Sequence, residues 1–97
     1  MKLVAIYNNL DTNAENRIEA EDETFNFDES NSVAISIIQK TVDKYESLGL
    51  TIDQGGDEET YEFDLPDGCF TAEEPQFRAQ AILFYDELRR NLRKAGY

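Results

Sequence analysis

The sequence predicts an α+β fold: a two-layer sandwich in which two helices cover one face of a four-stranded, mainly antiparallel sheet. Three observations lead to this prediction. Two segments place apolar residues at the three- and four-residue spacing of amphipathic helices. Several shorter segments alternate apolar and polar residues, as half-buried strands do. These segments follow one another in the order ββαββα, which is typical of helices gathered on one side of a sheet.

Length and composition indicate one domain over residues 1–97. Hydrophobic residues make up 40% of the chain and aromatic residues 11%, which argues against disorder even though 31% of the residues are charged. The chain is long enough for a modest hydrophobic core that needs neither a metal nor a disulfide.

The first two strands are expected near the N-terminus. Lys2–Tyr7 is short, almost continuously apolar and rich in strand-forming residues, as a central strand buried on both faces would be. The Asn-rich segment Asn8–Asn16 predicts a turn. Arg17–Asp28 alternates with one break, which predicts a half-buried strand or a strand with a bulge or turn in its middle.

The long helix is expected over Ser32–Gly49, and the fold is organised around it. Its apolar residues form one broad arc that would lie on the sheet: Ala34, Ile35, Ile37, Ile38, Val42, Tyr45 and Leu48. Three residues can cap its first turn: Ser30, Asn31 and Ser32. Gly49 suits the left-handed position after the helix, which would let Leu50 fold back onto Tyr45.

A hairpin is expected after this helix. Leu50–Asp53 reads as a short strand, Gln54–Glu59 as a loop with Gly55–Gly56 as its turn, and Thr60–Leu65 as a second strand with clean alternation. Pro66–Gly68 then suits a type I turn.

The second helix is expected over Pro75–Ala95, starting near Glu74 or Pro75. Its apolar stripe is narrower and consists of Phe77, Ala81, Phe84, Tyr85, Leu88, Leu92 and Ala95. Basic residues close the helix, which suits the dipole, and Gly96 can stop it.

Charge is the strongest compositional signal. Twenty-one acidic residues face nine basic residues and no histidine, giving a net charge of −12. The acids are concentrated in residues 1–74, which carry a net charge of −15, whereas residues 75–97 carry +3. A surface this acidic repels nucleic acid and anionic membranes and attracts basic partners.

Most common catalytic chemistries are excluded. Without histidine the chain cannot supply a His-dependent triad or a His-ligated metal site. Cys69 is the sole cysteine and reads as a small apolar core residue. The acids of Asp53–Glu59 lack EF-hand spacing, and Gly55–Gly56 has no phosphate-loop motif around it. We therefore expect a non-enzymatic protein without catalytic residues, cofactor or metal.

The compartment is predicted to be cytoplasmic. A single cysteine excludes an intramolecular disulfide. The apolar run at the N-terminus is too short for a signal peptide, and no segment approaches the roughly 18 apolar residues of a membrane span.

The charge pattern favours an acidic protein that docks on the basic, nucleic-acid-binding surface of another protein. Such a DNA mimic would inhibit or regulate a nucleic-acid-processing enzyme, as phage-encoded anti-CRISPR and anti-restriction proteins do, and would bind neither nucleic acid nor membrane. The candidate partner-binding residues are Glu19, Glu21, Asp22, Glu23, Asp57, Glu58, Glu59, Glu62 and Asp64.

Two alternatives remain open. The chain can be a small accessory or homodimeric interaction module that uses one edge of the second helix, with Arg78, Ile82, Leu83 and Arg89 as the interface. It can also be an acidic domain whose charge serves only solubility.

Overall fold

The computed structural model describes residues 1–9, 14–17, 23–67 and 74–97. Within them the elements are β1 (Lys2–Asn9), β2 (Ala14–Arg17), β3 (Glu23–Thr24), α1 (Ser32–Ser47), β4 (Asp53–Gly56), β5 (Thr60–Asp67) and α2 (Glu74–Lys94). The α+β class is confirmed, and the order of strands and helices fits ββαββα. β3 lies within the predicted second strand, whereas β2 shares only Arg17 with it and otherwise lies in the segment predicted as a turn.

The sheet is mixed, which corrects the expectation of a mainly antiparallel one. Its strand order is β2-β1-β5-β4, with β3 also pairing with β1, so β1 is central as predicted. The central pair β1–β5 is parallel, with Lys2 opposite Thr60 and Ala5 opposite Phe63. The reason is the crossover: α1 returns the chain to the end of the sheet where β3 began, so β4 runs parallel to β3. The antiparallel partners of β3 and β4 are β1 and β5, which must then run parallel to each other.

The second predicted strand is interrupted. β2 pairs Arg17 with Ile6, and β3 pairs Glu23 with Leu3. Between these pairings β1 advances by three residues while its partner advances by six, so one continuous ladder is impossible. The described pairings therefore do not form one regular ladder over the predicted strand, and residues 18–22 between them lie outside the described residues. Regular pairing ends at Thr24, four residues before the predicted end.

The ends of α1 agree with the sequence. Asn31 is the N-cap, and its side-chain oxygen accepts a hydrogen bond from the Ala34 N–H at 3.1 Å. After the helix, Gly49 has φ 106°. The Leu50 N–H donates to the Tyr45 carbonyl at 3.1 Å, which closes a Schellman motif.

The hairpin differs from the prediction at its turn. Gly55 and Gly56 lie in β4, and the turn is formed by Asp57–Glu59. The Asp57 carboxylate accepts hydrogen bonds from the backbone N–H groups of Glu59 and Thr60, each at 2.9 Å. These bonds place the turn immediately after the two glycines. Gly56 has φ 123° and supplies the backbone conformation that leads into this turn.

β5 is longer than predicted and contains Pro66 and Asp67, which were expected to form a turn with Gly68. Gly68 lies outside the described residues. The missing N–H of Pro66 would point toward the β4 side of the strand. β4 starts at Asp53, whose partner is Asp64, so no ladder bond is lost at Pro66.

α2 starts at Glu74, in agreement with the prediction, and packs with α1 over the same face of the sheet. Phe84 of α2 contacts both α1 and the sheet: its ring lies 5.6 Å from that of Tyr45 and 5.4 Å from that of Phe63, edge to face in both cases. At its end Gly96 has φ 97°, and the Tyr97 N–H donates to the Leu92 carbonyl at 3.0 Å. Over the described ranges, neither helix combines the length and hydropathy needed to cross a bilayer.

Candidate partner-binding surface

The sheet presents two chemically different faces. On β1 and β5, alternate residues are buried in the core beneath the helices: Leu3, Ala5, Phe63 and Leu65. Successive side chains along a strand point to opposite faces, so the residues between them face away from the helices. We call this second face the outer face. On β1, β5 and β4 its residues with described side chains are Lys2, Val4, Ile6, Thr60, Glu62, Asp64, Asp53 and Gly55.

Acidic residues gather on the outer face and on the adjoining β4–β5 turn. We call this group the acidic surface; it consists of Asp53, Asp57, Glu58, Glu59, Glu62 and Asp64. The turn residues and Asp53 are exposed, whereas Glu62 and Asp64 are half-buried. Five of the six were predicted as partner-binding residues. Asp53 was missed because its place opposite Asp64 depends on the register of the hairpin, which the sequence pattern does not give.

The charges on this surface lie close together. Glu62 and Asp64 are two residues apart on one strand, which separates them by about 6.7 Å. Asp53 and Asp64 are directly opposite each other, at a Cα separation of about 5.5 Å. Among the described residues, Asp53, Glu58, Glu59 and Glu62 form no ion pair. Their charge is therefore directed at solvent or at a partner.

Asp57 has a second role within the acidic surface. Its carboxylate is the acceptor for two backbone N–H groups of the turn, so it shapes the hairpin and contributes charge as well. Replacing it would change the structure and the charge together, which makes it unsuitable for testing partner binding.

Glu23 lies away from the acidic surface. It pairs with Leu3, so its side chain is on the helix side of the sheet. Its carboxylate binds Arg89 at 3.1 Å and Arg93 at 3.2 Å. The bond to Glu23 raises the pKa of Arg89. We therefore leave Glu23 out of the proposed partner-binding surface, although the sequence placed it there.

Arg93 holds the segment after β3 against α2. Besides its ion pair with Glu23, it donates hydrogen bonds to the carbonyls of Thr24 at 3.3 Å and Tyr97 at 3.1 Å. Its guanidinium also lies over the buried ring of Phe25, 4.1 Å from the centroid. One side chain thus joins β3, the following loop and the end of α2.

Arg93→Ala is expected to lower the free energy of unfolding by about 1–2 kcal/mol. The variant loses all of these contacts at once, but each contact is weakened by solvent because the Arg93 side chain is half-exposed. Chemical denaturation of the purified variant measures the change. Lys94→Ala removes the same charge one residue later from an exposed position and is expected to cost less than about 0.5 kcal/mol. Equal losses in the two variants would contradict this role for Arg93.

Several predicted site residues cannot be placed. Glu19, Glu21 and Asp22 lie outside the described residues, as does Cys69. The helix containing Arg78 is described, but its side chain is not.

The alternative interface on α2 is largely occupied within the chain. Ile82 packs against the core, and Arg89 is engaged with Glu23. Leu83 remains 48% exposed. Of the three residues in this interface whose side chains are described, only Leu83 is available to a partner.

Basic residues gather on the helical layer, on the other side of the sheet from the outer face. They are Lys40, Lys44, Arg89, Arg90, Arg93 and Lys94. Part of this charge is neutralised locally, since Lys44 binds Glu87 at 2.6 Å, and this bond raises the pKa of Lys44. On the outer face, the basic residue among the described side chains is Lys2. The outer face and its adjoining turn thus carry mainly negative charge, whereas the helical layer carries both signs, because its basic residues lie among the acids Glu23, Asp43, Glu46, Asp86 and Glu87.

The described residues show no group of three or more Cys, Asp or Glu side chains arranged to hold a metal ion. The acids of the hairpin spread along a strand and around a turn instead of converging on one point. This arrangement is that of a surface, whereas a metal site needs ligands that meet at a centre.

No protein-family model, curated protein or solved structure matches the chain.

Proposed function

We propose that this protein is a non-enzymatic, cytoplasmic inhibitor or regulator that imitates nucleic acid. Its acidic surface would dock on the basic cleft of a nucleic-acid-processing enzyme and occupy the place of the phosphates. Restriction and CRISPR nucleases are the partners tested first, because they hold DNA in positively charged channels.

The observation that carries the proposal is the concentration of acids on the outer face and the β4–β5 turn. Among the described side chains, Lys2 is the basic residue that shares the outer face with these acids, while Arg89 and Arg93 of α2 pair with Glu23 and Asp86 on the helical layer. An acidic protein whose charge served only solubility would not need this concentration, because charges spread over the whole surface keep a protein soluble equally well.

The physical consequence is directional attraction. A concentrated negative surface raises the rate at which a basic cleft is found, and the attraction weakens as salt screens it. DNA also presents closely spaced charge, one per roughly 3.4 Å of axis on each strand. A partner that neutralises several phosphates can therefore exchange them for carboxylates held on a rigid sheet.

Neutralising the acidic surface is expected to weaken inhibition. We would compare wild type with the double variant Asp53→Asn/Glu62→Gln, which preserves side-chain shape and removes two charges from the outer face. At 50 mM salt the inhibition constant is expected to rise about tenfold or more, because each ion pair in a desolvated interface is worth roughly 1 kcal/mol or more. The measurement is DNA cleavage by a purified restriction endonuclease and by an RNA-guided nuclease, at several DNA concentrations.

The chain offers a matched control. Asp43→Asn/Glu46→Gln removes the same two residue types and the same charge from exposed positions on α1, away from the acidic surface. It is expected to inhibit as wild type does. Equal weakening by both variants would show that net charge, and not this surface, drives binding. Inhibition that changes neither with added DNA nor at 200 mM salt would contradict mimicry. A failure to inhibit both enzymes would contradict it as well.

A further inference from the structure

Among the described strands, the outer strand of the hairpin has an unpaired edge. β4 is the last strand in the order β2-β1-β5-β4, and all four of its residues are exposed. An edge strand presents backbone N–H and C=O groups that a second chain can use for pairing. Proteins often protect such edges with Lys, Pro or a β-bulge, whereas β4 has glycine at two of its four positions and neither Lys nor Pro.

The hydrogen-bond pattern shows which groups face outward. The Lys2 N–H donates to the Glu59 carbonyl at 2.7 Å. In a parallel ladder this places the backbone N–H and C=O groups of the odd-numbered β5 residues on the side of β1, and those of the even-numbered residues on the side of β4. Gly55, opposite Glu62, therefore exchanges ladder bonds with β5. The N–H and C=O groups of Gln54 and Gly56 point to the open edge. The Asp57 N–H bond to the Thr60 carbonyl at 2.9 Å has the same phase.

Gln54 is held in place from the helix side. Its side-chain oxygen accepts hydrogen bonds from Gln39 and from the Tyr61 hydroxyl, each at 2.7 Å. These bonds tie the edge strand to α1 and to β5. The edge is therefore organised before any partner arrives, which lowers the ordering cost of pairing.

Gly55 opens a path from this edge to the acidic surface. On the outer face it is the residue between the edge and Glu62. A Cβ built at Gly55 meets nothing within 4 Å, so the space above it is empty. A strand added at the edge would lie two strand spacings, about 10 Å, from β5. A Lys or Arg side chain on it can lie flat over Gly55 and reach the Glu62 carboxylate.

We propose that the β4 edge pairs with an extended basic segment of the partner protein, whose backbone bonds Gln54 and Gly56 and whose Lys or Arg crosses Gly55 to Glu62. The inference rests on the proposed function and specifies the kind of segment that binds. A second copy of this chain fits poorly at the same edge, because it would bring acidic residues opposite acidic residues.

The probe is a synthetic peptide with alternating basic residues, acetyl-Thr-Lys-Val-Lys-Val-Lys-Thr-amide, titrated into the full chain labelled with ¹⁵N at 50 mM salt. At saturation, hydrogen exchange of the Gln54 and Gly56 amides is expected to slow at least tenfold. The same peptide with N-methylated backbone nitrogens keeps its charge but cannot pair, and is expected to bind at least tenfold more weakly.

Gly55→Val tests the path to Glu62. A Cβ at this position meets nothing within 4 Å and valine suits a strand, so we expect the fold to be retained while the crossing Lys is blocked. The affinity for the Lys peptide is expected to fall at least fivefold, whereas a peptide with Thr in place of Lys is expected to bind both proteins equally weakly.

Equal binding of the methylated peptide, or unprotected Gln54 and Gly56 amides in the complex, would overturn the inference. So would amides already protected in a dimer of the free protein. Each of these results leaves the proposed function standing, because the nuclease assay with Asp53→Asn/Glu62→Gln measures the acidic surface without reference to the edge.

Discussion

Phe84→Ala is expected to lower the free energy of unfolding by about 3–5 kcal/mol, the range found for deleting a fully buried ring. Phe84 is 0% exposed and makes edge-to-face contacts with Tyr45 of α1 and Phe63 of β5. Its removal leaves a cavity where the two helices and the sheet meet. Urea or guanidinium denaturation followed by circular dichroism measures the loss.

The adjacent residue provides the control. Leu83→Ala removes a large apolar side chain that is 48% exposed and is expected to cost less than about 1 kcal/mol. If Phe84→Ala does not fold, Phe84→Leu keeps much of the volume and is expected to cost about 1–2 kcal/mol. A loss at position 83 equal to that at position 84 would contradict the core described above.

Gly56→Ala is expected to lower the free energy of unfolding by about 2–4 kcal/mol, because strain at a positive φ costs about 1–3 kcal/mol and a clash is added to it. A Cβ at this position would lie 2.1 Å from the Thr60 carbonyl oxygen, which belongs to the backbone and cannot move alone. The turn that carries Asp57, Glu58 and Glu59 would be distorted first.

Gly55→Ala is the control for this variant, since Gly55 is the preceding residue of the same strand and has an ordinary φ and free space for a Cβ. It is expected to leave stability unchanged or to raise it by up to about 1 kcal/mol, because alanine restricts the unfolded chain. Denaturation of both variants side by side is the measurement. Similar losses in the two would show that position 56 does not require glycine.

Local signals predicted the parts of the fold that local interactions determine. Asn31 and Gly49 act within one turn of the helix they cap, so their side-chain and backbone chemistry is visible in the sequence. The alternation of Tyr61, Phe63 and Leu65 likewise reports the burial of one face of β5. These features need no knowledge of what lies across the sheet.

The errors came from competition between local signals and from partners distant in the chain. The glycine pair was assigned to the turn, yet the Asp57 carboxylate fixes the turn beyond it. Glu23 was predicted as a partner-binding residue, and its bonds to Arg89 and Arg93, 66 and 70 residues away, are not visible in the local sequence pattern. The parallel direction of β1 and β5 follows from a crossover that composition cannot reveal. Of the predicted partner-binding acids, those of the hairpin lie together on the outer face and its turn, while Glu19, Glu21 and Asp22 lie outside the described residues.

The parallel pairing at the centre of the sheet also bears on how the chain folds. Its first pair, Lys2 with Thr60, joins residues 58 positions apart in the sequence, whereas the helix caps and the β4–β5 hairpin join residues only a few positions apart. Closing the loop between Lys2 and Thr60 costs entropy before any contact repays it, so pairings of this kind slow folding. During synthesis, the apolar β1 leaves the ribosome before β5 and must wait for it before the central pairing can form. The most hydrophobic strand of the protein is thus the one whose pairing is finished late.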